Sequence, residues 1–494
     1  MVENYIVSID QSTQGTKALL FNLEGKLINR RDILHKQIIN DKGWVSHDPM
    51  EIYNNTVQVI KNLVEASKIN KDNIIGLGIS NQRETSLAWN RKTGKPLGDA
   101  IVWQCSRARD ICEKVEKLGV ADEIGEKTGL RLSPYFPAAK IGWLLENISG
   151  AKELSEKGNI CHGTIDTWLV YKLTNGTSYK TDYSNASRTQ LFNIFDLKWD
   201  EDICEYFGIN IKNLPEVCYS DSIFGETDLE GFFNKPIPIA GVIGDSHGAL
   251  FGQGCIEKGM IKATYGTGSS IMMNIGDKPI LSTHGVVTSL AWGINGKINY
   301  VLEGNINYTG AVITWLKNEV ELISNPSQTA KLCYKAKTDD DLYLIPAFTG
   351  LGAPYWDSYA KGALIGITRT TGKAEIVRAG VECIAYQIND IVEAMSEDAG
   401  IPFKELRVDG GPTRNKYLMQ FQSDILGKEV KVPGAEELSG IGAAYVAGFS
   451  LKVFDETIFA NMKRKNYIPE MDRKTANKKI AGWKDAVRSV LSKK

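Results

Sequence analysis

The N-terminal part of the chain alternates between apolar runs and short polar segments. Residues 5–9 are rich in β-branched and aromatic side chains, residues 10–17 are small and polar, and residues 18–21 are apolar again. This order predicts a β-hairpin with a glycine in its turn. Residues 52–66 carry apolar positions at helical spacing, and residues 74–79 form a further apolar run. Because the apolar residues of these strand segments are consecutive and do not alternate with polar ones, we expect a buried α/β sheet covered by helices.

A comparable order of elements begins again near the middle of the chain. The matching segments are the strand 237–243 with small residues 244–248, then the strand 260–265, the loop 266–270 and the strand 271–274. Two copies of strand, small-residue loop and strand predict two lobes with a ligand between them. We expect an N-terminal lobe of residues 1–252 and a C-terminal lobe of residues 253–494.

Composition and charge exclude several classes of protein. The 494 residues correspond to about three domains, or two large ones, at roughly 150 residues each. Hydrophobic residues make up 43% and charged residues 24%, and the mean hydropathy is -0.21, which is ordinary for a globular protein. Lys and Arg total 58 against 59 for Asp and Glu, which gives a net charge of -1. With no basic excess, we predict no nucleic-acid partner.

Cysteine usage and the N-terminal segment bear on the compartment. The eight cysteines include no CxxC pair, so the sequence predicts neither a zinc ribbon nor a disulfide framework. We expect buried thiols in a reducing compartment. The N-terminal segment has no basic region followed by an apolar core, and no apolar run reaches the ~18 residues of a membrane span. These features predict a cytoplasmic protein without a membrane span.

Three loops rich in small residues have the composition of phosphate-binding segments. Residues 10–17 combine hydroxyls, Gly15 and Lys17 directly after a strand, and residues 266–270 resemble them without a lysine. The glycine pair 410–411 stands between a predicted strand and a predicted helix. Small residues let backbone N–H groups approach phosphate oxygens. None of the loops is a Walker or GxGxxG motif, so an ordinary tight turn is the alternative for each.

One carboxylate has the position of a catalytic base. Asp245 ends an apolar strand beside small residues, where it could accept a proton from a ligand hydroxyl. The alternative is a helix N-cap for residues 249–253, and the two roles can coexist. His247 is a second candidate base, although an isolated histidine is more often a structural hydrogen-bonding residue.

Polar and aromatic residues elsewhere suit the recognition of a polyhydroxylated ligand. Arg83 and Glu84 follow the strand 74–79 and place a guanidinium beside a carboxylate. Trp103 and Tyr135 lie in otherwise polar turns, where they could wall a small pocket or simply pack.

Several motifs occur together in the order typical of one family. They are the segments 10–17, 80–85, 100–105, 182–188, 265–268, 346–356, 407–411 and 420–426. On these motifs the chain resembles the FGGY carbohydrate kinases over residues 4–490, and within them it is most similar to the glycerol kinases. The resemblance implies two ribonuclease-H-like lobes of the actin/hexokinase/Hsp70 type. It also implies a cleft that closes on MgATP and a polyol, and a homodimer or homotetramer.

The resemblance also implies roles for individual residues. Asp245 is the base that takes the proton from the attacking terminal hydroxyl. The polyol site is lined by Arg83, Glu84, Trp103, Tyr135, Asp245, Ser246 and Ser270. The phosphates of ATP face Thr13, Gln14, Gly15, Lys17 and Thr267, and the nucleotide is also bound at Gly310, Thr314, Gly411 and Asn415. Asp10 is expected near the magnesium ion, through water.

The sequence departs from the glycerol kinase pattern on both sides of the site. Glycerol kinases usually read Gly-Asp-Gln-Gln at the base, where this chain has Ser246 in place of the first glutamine. They place a phenylalanine where Ser270 stands, so both changes remove bulk and add polarity to the substrate pocket. Lys17 replaces the usual arginine and thereby removes a bidentate fork. Gln14 replaces a hydroxyl residue.

The predicted function is the ATP-dependent phosphorylation of a terminal hydroxyl of glycerol or a related polyol or sugar. The alternative, favoured by the more polar pocket, is a longer substrate (a tetritol, a pentitol or a ketopentose such as xylulose), with glycerol a poor substrate. A catalytically silent sugar sensor is disfavoured because Asp245 is present. A Rossmann-type dehydrogenase is disfavoured because no GxGxxG follows the first strand.

Overall fold

The computed structural model describes residues 3–337 and 341–492. The strands up to residue 252 are β1 (Tyr5–Gln11), β2 (Gly15–Asn22), β3 (Leu27–Leu34), β4 (Ile38–Ile39), β5 (Val45–His47), β6 (Ile74–Asn81), β7 (Ser86–Asn90), β8 (Ala100–Ile101), β9 (Ile160–Thr164), β10 (Lys180–Asp182), β11 (Phe192–Asn193), β12 (Lys198–Trp199), β13 (Glu216–Cys218), β14 (Gly225–Thr227) and β15 (Ile237–Gly244). The helices of this part are α1 (Pro49–Ser67), α2 (Arg109–Glu116), α3 (Ala121–Thr128), α4 (Pro137–Asn147), α5 (Ala151–Glu156), α6 (Ile165–Leu173), α7 (Tyr183–Ala186), α8 (Glu201–Tyr206) and α9 (Asp245–Gly252).

The rest of the chain continues the alternation of strands and helices. Its strands are β16 (Met260–Tyr265), β17 (Ser269–Gly276), β18 (Val287–Ile294), β19 (Lys297–Ile306), β20 (Tyr343–Ile345), β21 (Ala363–Ile365), β22 (Glu405–Asp409), β23 (Val430–Pro433) and β24 (Arg464–Tyr467). Its helices are α10 (Gly310–Asn318), α11 (Gln328–Lys335), α12 (Lys373–Ala399), α13 (Lys416–Leu426), α14 (Leu438–Ser450) and α15 (Arg473–Val490). Within the described ranges, no helix is both long enough and apolar enough to span a bilayer.

Two sheets repeat one pattern of strand pairing. The first has the order β14-β15-β6-β1-β2-β3, and the second has the order β18-β19-β17-β16-β22-β23-β24. In the first, the antiparallel hairpin β1–β2 is flanked by β3 and by the parallel strand β6. In the second, the hairpin β16–β17 is flanked by β19 and by the parallel strand β22. The predicted α/β class is therefore confirmed, and so is its duplicated strand, loop and strand.

The helix α14 packs against β1, β6 and β15 of the first sheet, although it comes from the C-terminal half of the sequence. It also packs against α9, and the two helices approach so closely that a Cβ atom on Gly442 would lie 1.9 Å from the carbonyl oxygen of Gly248. Only glycine fits such an approach of two backbones. The C-terminal half thus covers the first sheet and supports the helix that begins with Asp245.

Candidate active site

Three parallel strands bring polar side chains to one edge of the first sheet. The strand β6 pairs in parallel with β1 on one side and with β15 on the other. Asp10 lies near the end of β1, Arg83 follows β6, and Asp245 follows β15. Ligands of open α/β sheets bind at this carboxyl edge of the strands.

Asp245 occupies the first turn of α9 and faces two donors. Its Oδ1 accepts hydrogen bonds from the backbone N–H of Ser246 at 2.6 Å and from Nε of Arg83 at 3.1 Å. The side chain is 35% exposed. The N-cap of α9 is Gly244, so the N-cap role considered for Asp245 is wrong. A partly exposed carboxylate that two donors orient can accept a proton from a bound hydroxyl.

His247 does not share this exposure. Its ring is fully buried, and its Nε2 lies 3.3 Å from the hydroxyl of Ser289. Burial, together with the charge of Arg83, lowers the pKa of His247 well below its ordinary value. The ring is therefore a neutral, enclosed group at neutral pH, and its position does not favour it as the base.

A buried ionic network lies behind Asp245. Glu303 of β19 accepts hydrogen bonds from both terminal nitrogens of Arg83, each at 2.9 Å. Its Oε2 also lies 3.0 Å from Nη1 of Arg188, and Nε of Arg188 donates to Glu84 at 2.6 Å. Burial alone would raise the pKa of Glu303, but the charges of Arg188 and Arg83 hold it well below its ordinary value. The network is therefore ionised and ties both arginines to the second sheet.

Glu303 and Arg188 were not singled out from the sequence. Arg188 ends the motif 182–188, and Glu303 is a carboxylate inside the apolar strand β19. A charged residue in an apolar strand is the signal that could have identified Glu303, because such a residue is rarely fully buried without a partner.

An aromatic wall connects the predicted polyol site with the first polar loop. The rings of Trp103 and Tyr135 meet edge to face with centroids 5.7 Å apart. Nε1 of Trp103 donates to the hydroxyl of Thr13 at 3.0 Å. Beneath the wall, the fully buried Lys140 donates to the backbone carbonyl of Tyr135. Burial lowers the pKa of Lys140 to about 7.

Lys17 is held by carboxylates in this structure. Its Nζ lies 2.7 Å from Glu437 and 3.5 Å from Asp10. Arg30 pairs with the other oxygen of Glu437. Burial raises the pKa of Asp10 to about 6, Lys17 opposes this, and the charges of Asp245 and Glu437 add to it. Glu437 was not singled out from the sequence, because it lies 420 positions away from Lys17 along the chain.

Two neighbouring cavities contain most of the residues expected to bind a nucleotide. The first, of about 640 Å³, is lined by residues that include Asp10, Lys17, Thr264, Asp409, Gly411 and Arg414. The second, of about 510 Å³, is lined by residues that include Gly310, Thr314, Ile384, Gly411, Arg414 and Asn415. Because Gly411 and Arg414 line both, the cavities adjoin. Four of the predicted nucleotide residues, Gly310, Thr314, Gly411 and Asn415, are thus brought together.

The turn between β16 and β17 is joined to the start of α10. The carbonyl of Thr267 accepts hydrogen bonds from the N–H groups of Thr309 and Ala311, at 2.9 and 3.0 Å. The N–H of Gly310 binds the carbonyl of Gly266 at 2.9 Å. These hydrogen bonds place the exposed Thr267 beside Gly310, which lines the second cavity.

Asn415 has a structural role in its own right. Its Oδ1 caps α13 by accepting from the N–H of Leu418, and its Nδ2 donates to Thr329, each at 3.1 Å. Two other predicted phosphate residues lie in the first hairpin, where Gln14 is exposed in the turn and Gly15 begins β2. A Cβ on Gly15 would lie 2.7 Å from the carbonyl oxygen of Ile33, so this position requires glycine for packing.

The two serines of the predicted substrate pocket differ in their settings. Ser246 is partly exposed in the first turn of α9. Ser270, which the sequence assigned to the loop 266–270, lies in β17 opposite Thr264 and Asn305. Its hydroxyl is buried and finds no hydrogen-bond partner among the described residues.

Comparisons with known proteins decide the family of this fold and site. The N-terminal domain of the FGGY family of carbohydrate kinases matches residues 5–252, and the C-terminal domain of that family matches residues 261–451. The chain belongs to the FGGY family of carbohydrate kinases. This FGGY kinase is 48% identical to glycerol kinase 1 of Thermotoga maritima over 491 residues, which cover 99% of this chain and 100% of the relative. It is 44% identical to the glycerol kinase of Bacillus subtilis over 494 residues, with 99% and 100% covered.

Solved structures agree with the family. The crystal structure of Plasmodium falciparum glycerol kinase with ADP matches the FGGY kinase with a TM-score of 0.94 at 37% identity, covering 100% of this chain and 99% of that one. Gluconate kinase from Lactobacillus acidophilus has the same fold, with a TM-score of 0.88 at 21% identity and coverage of 99% and 98%. The predicted family, two-lobed fold and kinase class are therefore confirmed. The roles of individual residues stay predictions.

Proposed function

We propose that this FGGY kinase transfers the terminal phosphoryl group of ATP to a terminal hydroxyl of glycerol or a related polyol. Relatives named glycerol kinase that match over nearly the full chain support this proposal, as does the glycerol kinase structure that holds ADP. The observation that carries it is the position of Asp245. Its oriented, partly exposed carboxylate directly follows β15 at the sheet edge where Asp10 also lies, and Asp10 lines the larger cavity.

Asp245 acts as the general base in this proposal. It takes the proton of the terminal hydroxyl while the hydroxyl oxygen attacks the terminal phosphorus, and the bond from phosphorus to the oxygen of the departing ADP breaks. Catalysis of phosphoryl transfer depends mainly on positioning and charge neutralisation. Arg83 and Glu84 hold the polyol, and Trp103 and Tyr135 pack against its carbon chain.

The two adjoining cavities suit the two ends of a nucleotide. The second contains apolar residues such as Ile384 and suits the adenosine, whereas the first contains Lys17 and the small segment Gly410–Gly411 and suits the phosphates. Lys17 would exchange part of its ion pair with Glu437 for a phosphate oxygen. Thr13, Gln14, Gly15 and Thr267 complete the proposed phosphate environment.

Magnesium would be bound chiefly by phosphate oxygens and water. Among the described residues, no cluster of three or more His, Cys, Asp or Glu side chains could hold a metal ion. A bound magnesium ion usually keeps several waters and takes one or two carboxylates. Asp10 fits this role, because its buried carboxylate lies beside two further negative charges that raise its pKa. When bound, the ion would neutralise charge on the phosphates.

A longer polyol or ketose is the second candidate substrate. Ser246 and Ser270 stand where glycerol kinases usually have a glutamine and a phenylalanine, and these smaller polar residues favour a ligand with additional hydroxyl groups. The test is release of ADP with glycerol, erythritol, threitol, arabitol and xylulose. The highest kcat/KM with glycerol supports the first candidate and contradicts the second. The highest kcat/KM with a four- or five-carbon substrate supports the second candidate and contradicts the first.

The organisation of the whole protein completes the proposal. We propose the lobes 1–252 and 253–494, with α14 of the second lobe packed on the first sheet. The cytoplasmic location and the homodimer or homotetramer stay predictions. Light scattering of the purified protein would test the oligomeric state directly.

A further inference from the structure

One buried carboxylate joins the two sides of the site. Glu303 belongs to the second sheet, whereas Arg83 and Arg188 belong to the N-terminal half of the chain. Glu303 accepts a hydrogen bond from Nη1 of Arg83 at 2.9 Å and forms an ion pair with Nη1 of Arg188 at 3.0 Å. Each arginine uses its Nε for a different carboxylate, since Arg83 contacts Asp245 at 3.1 Å and Arg188 contacts Glu84 at 2.6 Å.

The position of Glu303 in its sheet makes it a rigid anchor. It lies in β19 between two neighbouring strands, opposite Met272 of β17 and opposite Val287 of β18. Its side chain is fully buried, with 0% exposed. A residue whose backbone is paired on both sides cannot shift without disturbing the sheet. Its carboxylate therefore fixes the arginines more firmly than a loop residue would.

The balance of charge shows what this anchor prevents. Two arginines face three carboxylates, Glu303, Asp245 and Glu84. Without Glu303, the remaining carboxylates are Glu84, whose charge acts on both guanidinium groups, and Asp245, which contacts Arg83. Arginine–carboxylate pairs favour two parallel hydrogen bonds. Arg83 would then turn its fork toward Asp245 and occupy oxygens that must receive a proton. Arg188 would engage Glu84 in the same way.

We propose that Glu303 is a positioning residue for phosphoryl transfer, which keeps Asp245 and Glu84 available to the polyol by holding Arg83 and Arg188. This inference rests on the proposed function, because it requires Asp245 as the base. Glu303 itself touches no reacting atom. Its effect is transmitted by the two arginines.

The test is the variant Glu303→Gln, which keeps the shape of the side chain and removes its charge. We expect kcat to fall on the order of 10²-fold, as displacement of reacting groups by about 1 Å commonly does. The KM for the polyol should rise, whereas the KM for ATP should stay within about twofold, because Glu303 lines neither nucleotide cavity. Rates are normalised to the stoichiometry of ADP binding by calorimetry, so that unfolded enzyme is not counted.

The substrate for this test is the polyol that the unmodified enzyme phosphorylates with the highest kcat/KM. If the unmodified enzyme phosphorylates none, the proposed function fails on its own. The inference about Glu303 concerns the ratio of variant to unmodified enzyme. The two failures are thereby distinguishable.

Glu405→Gln is the matched control. Glu405 stands at the start of β22 in the same sheet and also binds two cations, Arg407 at 2.6 Å and Lys431 at 2.5 Å. Asp409, which lines the first cavity, is at the opposite end of β22 from Glu405. Glu405→Gln should therefore lose a comparable ion pair and keep kcat. Equal losses of kcat in the two variants would show a merely structural role and overturn the inference.

Glu303→Asp keeps the charge and shortens the side chain by one methylene. We expect a kcat between those of the unmodified enzyme and Glu303→Gln, with the KM for ATP unchanged. If Glu303→Gln does not fold, this variant decides. A reduced kcat, in a variant that binds ADP with the same stoichiometry as the unmodified enzyme, supports the inference. A kcat equal to that of the unmodified enzyme overturns it.

Discussion

The indole Nε1 of Trp103 donates a hydrogen bond to the hydroxyl of Thr13 across 3.0 Å. Trp103 follows β8 and packs against Tyr135, whereas Thr13 lies in the hairpin turn between β1 and β2. One hydrogen bond thus connects the aromatic wall of the proposed polyol site to the proposed phosphate loop. We therefore expect a substitution of either residue to affect the part of the site that contains the other.

Trp103→Phe should lower kcat/KM for the polyol about fivefold, because it keeps an aromatic ring and removes a hydrogen bond that contributes about 1 kcal/mol. Thr13→Val removes the partner, and the double variant tests the coupling. If the contact acts as described, the double variant loses no more than the larger single loss. Strictly additive losses in steady-state kinetics would contradict the coupling.

Asp245→Asn should lower kcat about 10²- to 10⁴-fold, because the amide cannot take the proton of the attacking hydroxyl. Binding of ADP, measured by calorimetry, should be retained. Asp485→Asn on the exposed face of α15 is the control and should keep full activity. Activity of Asp245→Asn within tenfold of the unmodified enzyme would remove Asp245 from the mechanism.

Gly442→Ala should destabilise the fold by about 3 kcal/mol, since its Cβ meets the backbone of α9 and the helices must separate. The Cβ would lie 1.9 Å from the carbonyl oxygen of Gly248. Gly125→Ala in α3 is the control, because its Cβ meets only an ordinary contact at 3.8 Å. That change should stabilise by up to about 1 kcal/mol. Similar thermal unfolding midpoints for the two variants would contradict the close crossing of α9 and α14.

His162 should make the fold sensitive to acid. Burial lowers the pKa of this histidine to about 3, from 6.5 in the unfolded chain. Between these two pH values the unfolded state binds more protons than the folded state. The free energy of unfolding therefore decreases as the pH drops below 6.5. At pH 5 the loss is about 2 kcal/mol. In His162→Phe the drop of the unfolding midpoint between pH 7.5 and pH 5 should be smaller.

His284→Gln is the control of opposite sign. His284 is exposed, and its hydrogen bond to Asp398 raises its pKa. Its contribution is therefore present at low pH and disappears as the pH rises through the folded-state pKa. The variant should lose more at pH 5 than at pH 7.5. The same pH dependence in both histidine variants would contradict the assignment for His162.

The strands and their duplication were predictable because local apolar runs and glycine turns determine them. The hairpin of β1 and β2 follows directly from residues 5–21. The exception is Ser270, which the small-residue composition assigned to a loop. In the structure, pairing with β16 and β19 extends β17 through it, so sheet context outweighs local composition.

The candidate site was predictable only where short motifs contain its residues. Asp245, Arg83 and Glu84 follow buried strands and could be found on that basis. Glu303 reaches Arg83 across 220 positions of sequence, and no local pattern indicates such a pairing. Long-range charge partners of this kind are determined by the packing of the two sheets.

The packing of α14 on the first sheet has a consequence for the order of events during synthesis. The strands β1, β6 and β15 are complete once residue 244 has been made, but the helix that covers one of their faces is translated almost two hundred positions later, at Leu438–Ser450. Until then, apolar side chains such as Leu19 and Ile243 lack their final cover. A nascent chain halted after residue 244 and before α14 would therefore expose an apolar surface of the kind that chaperones bind.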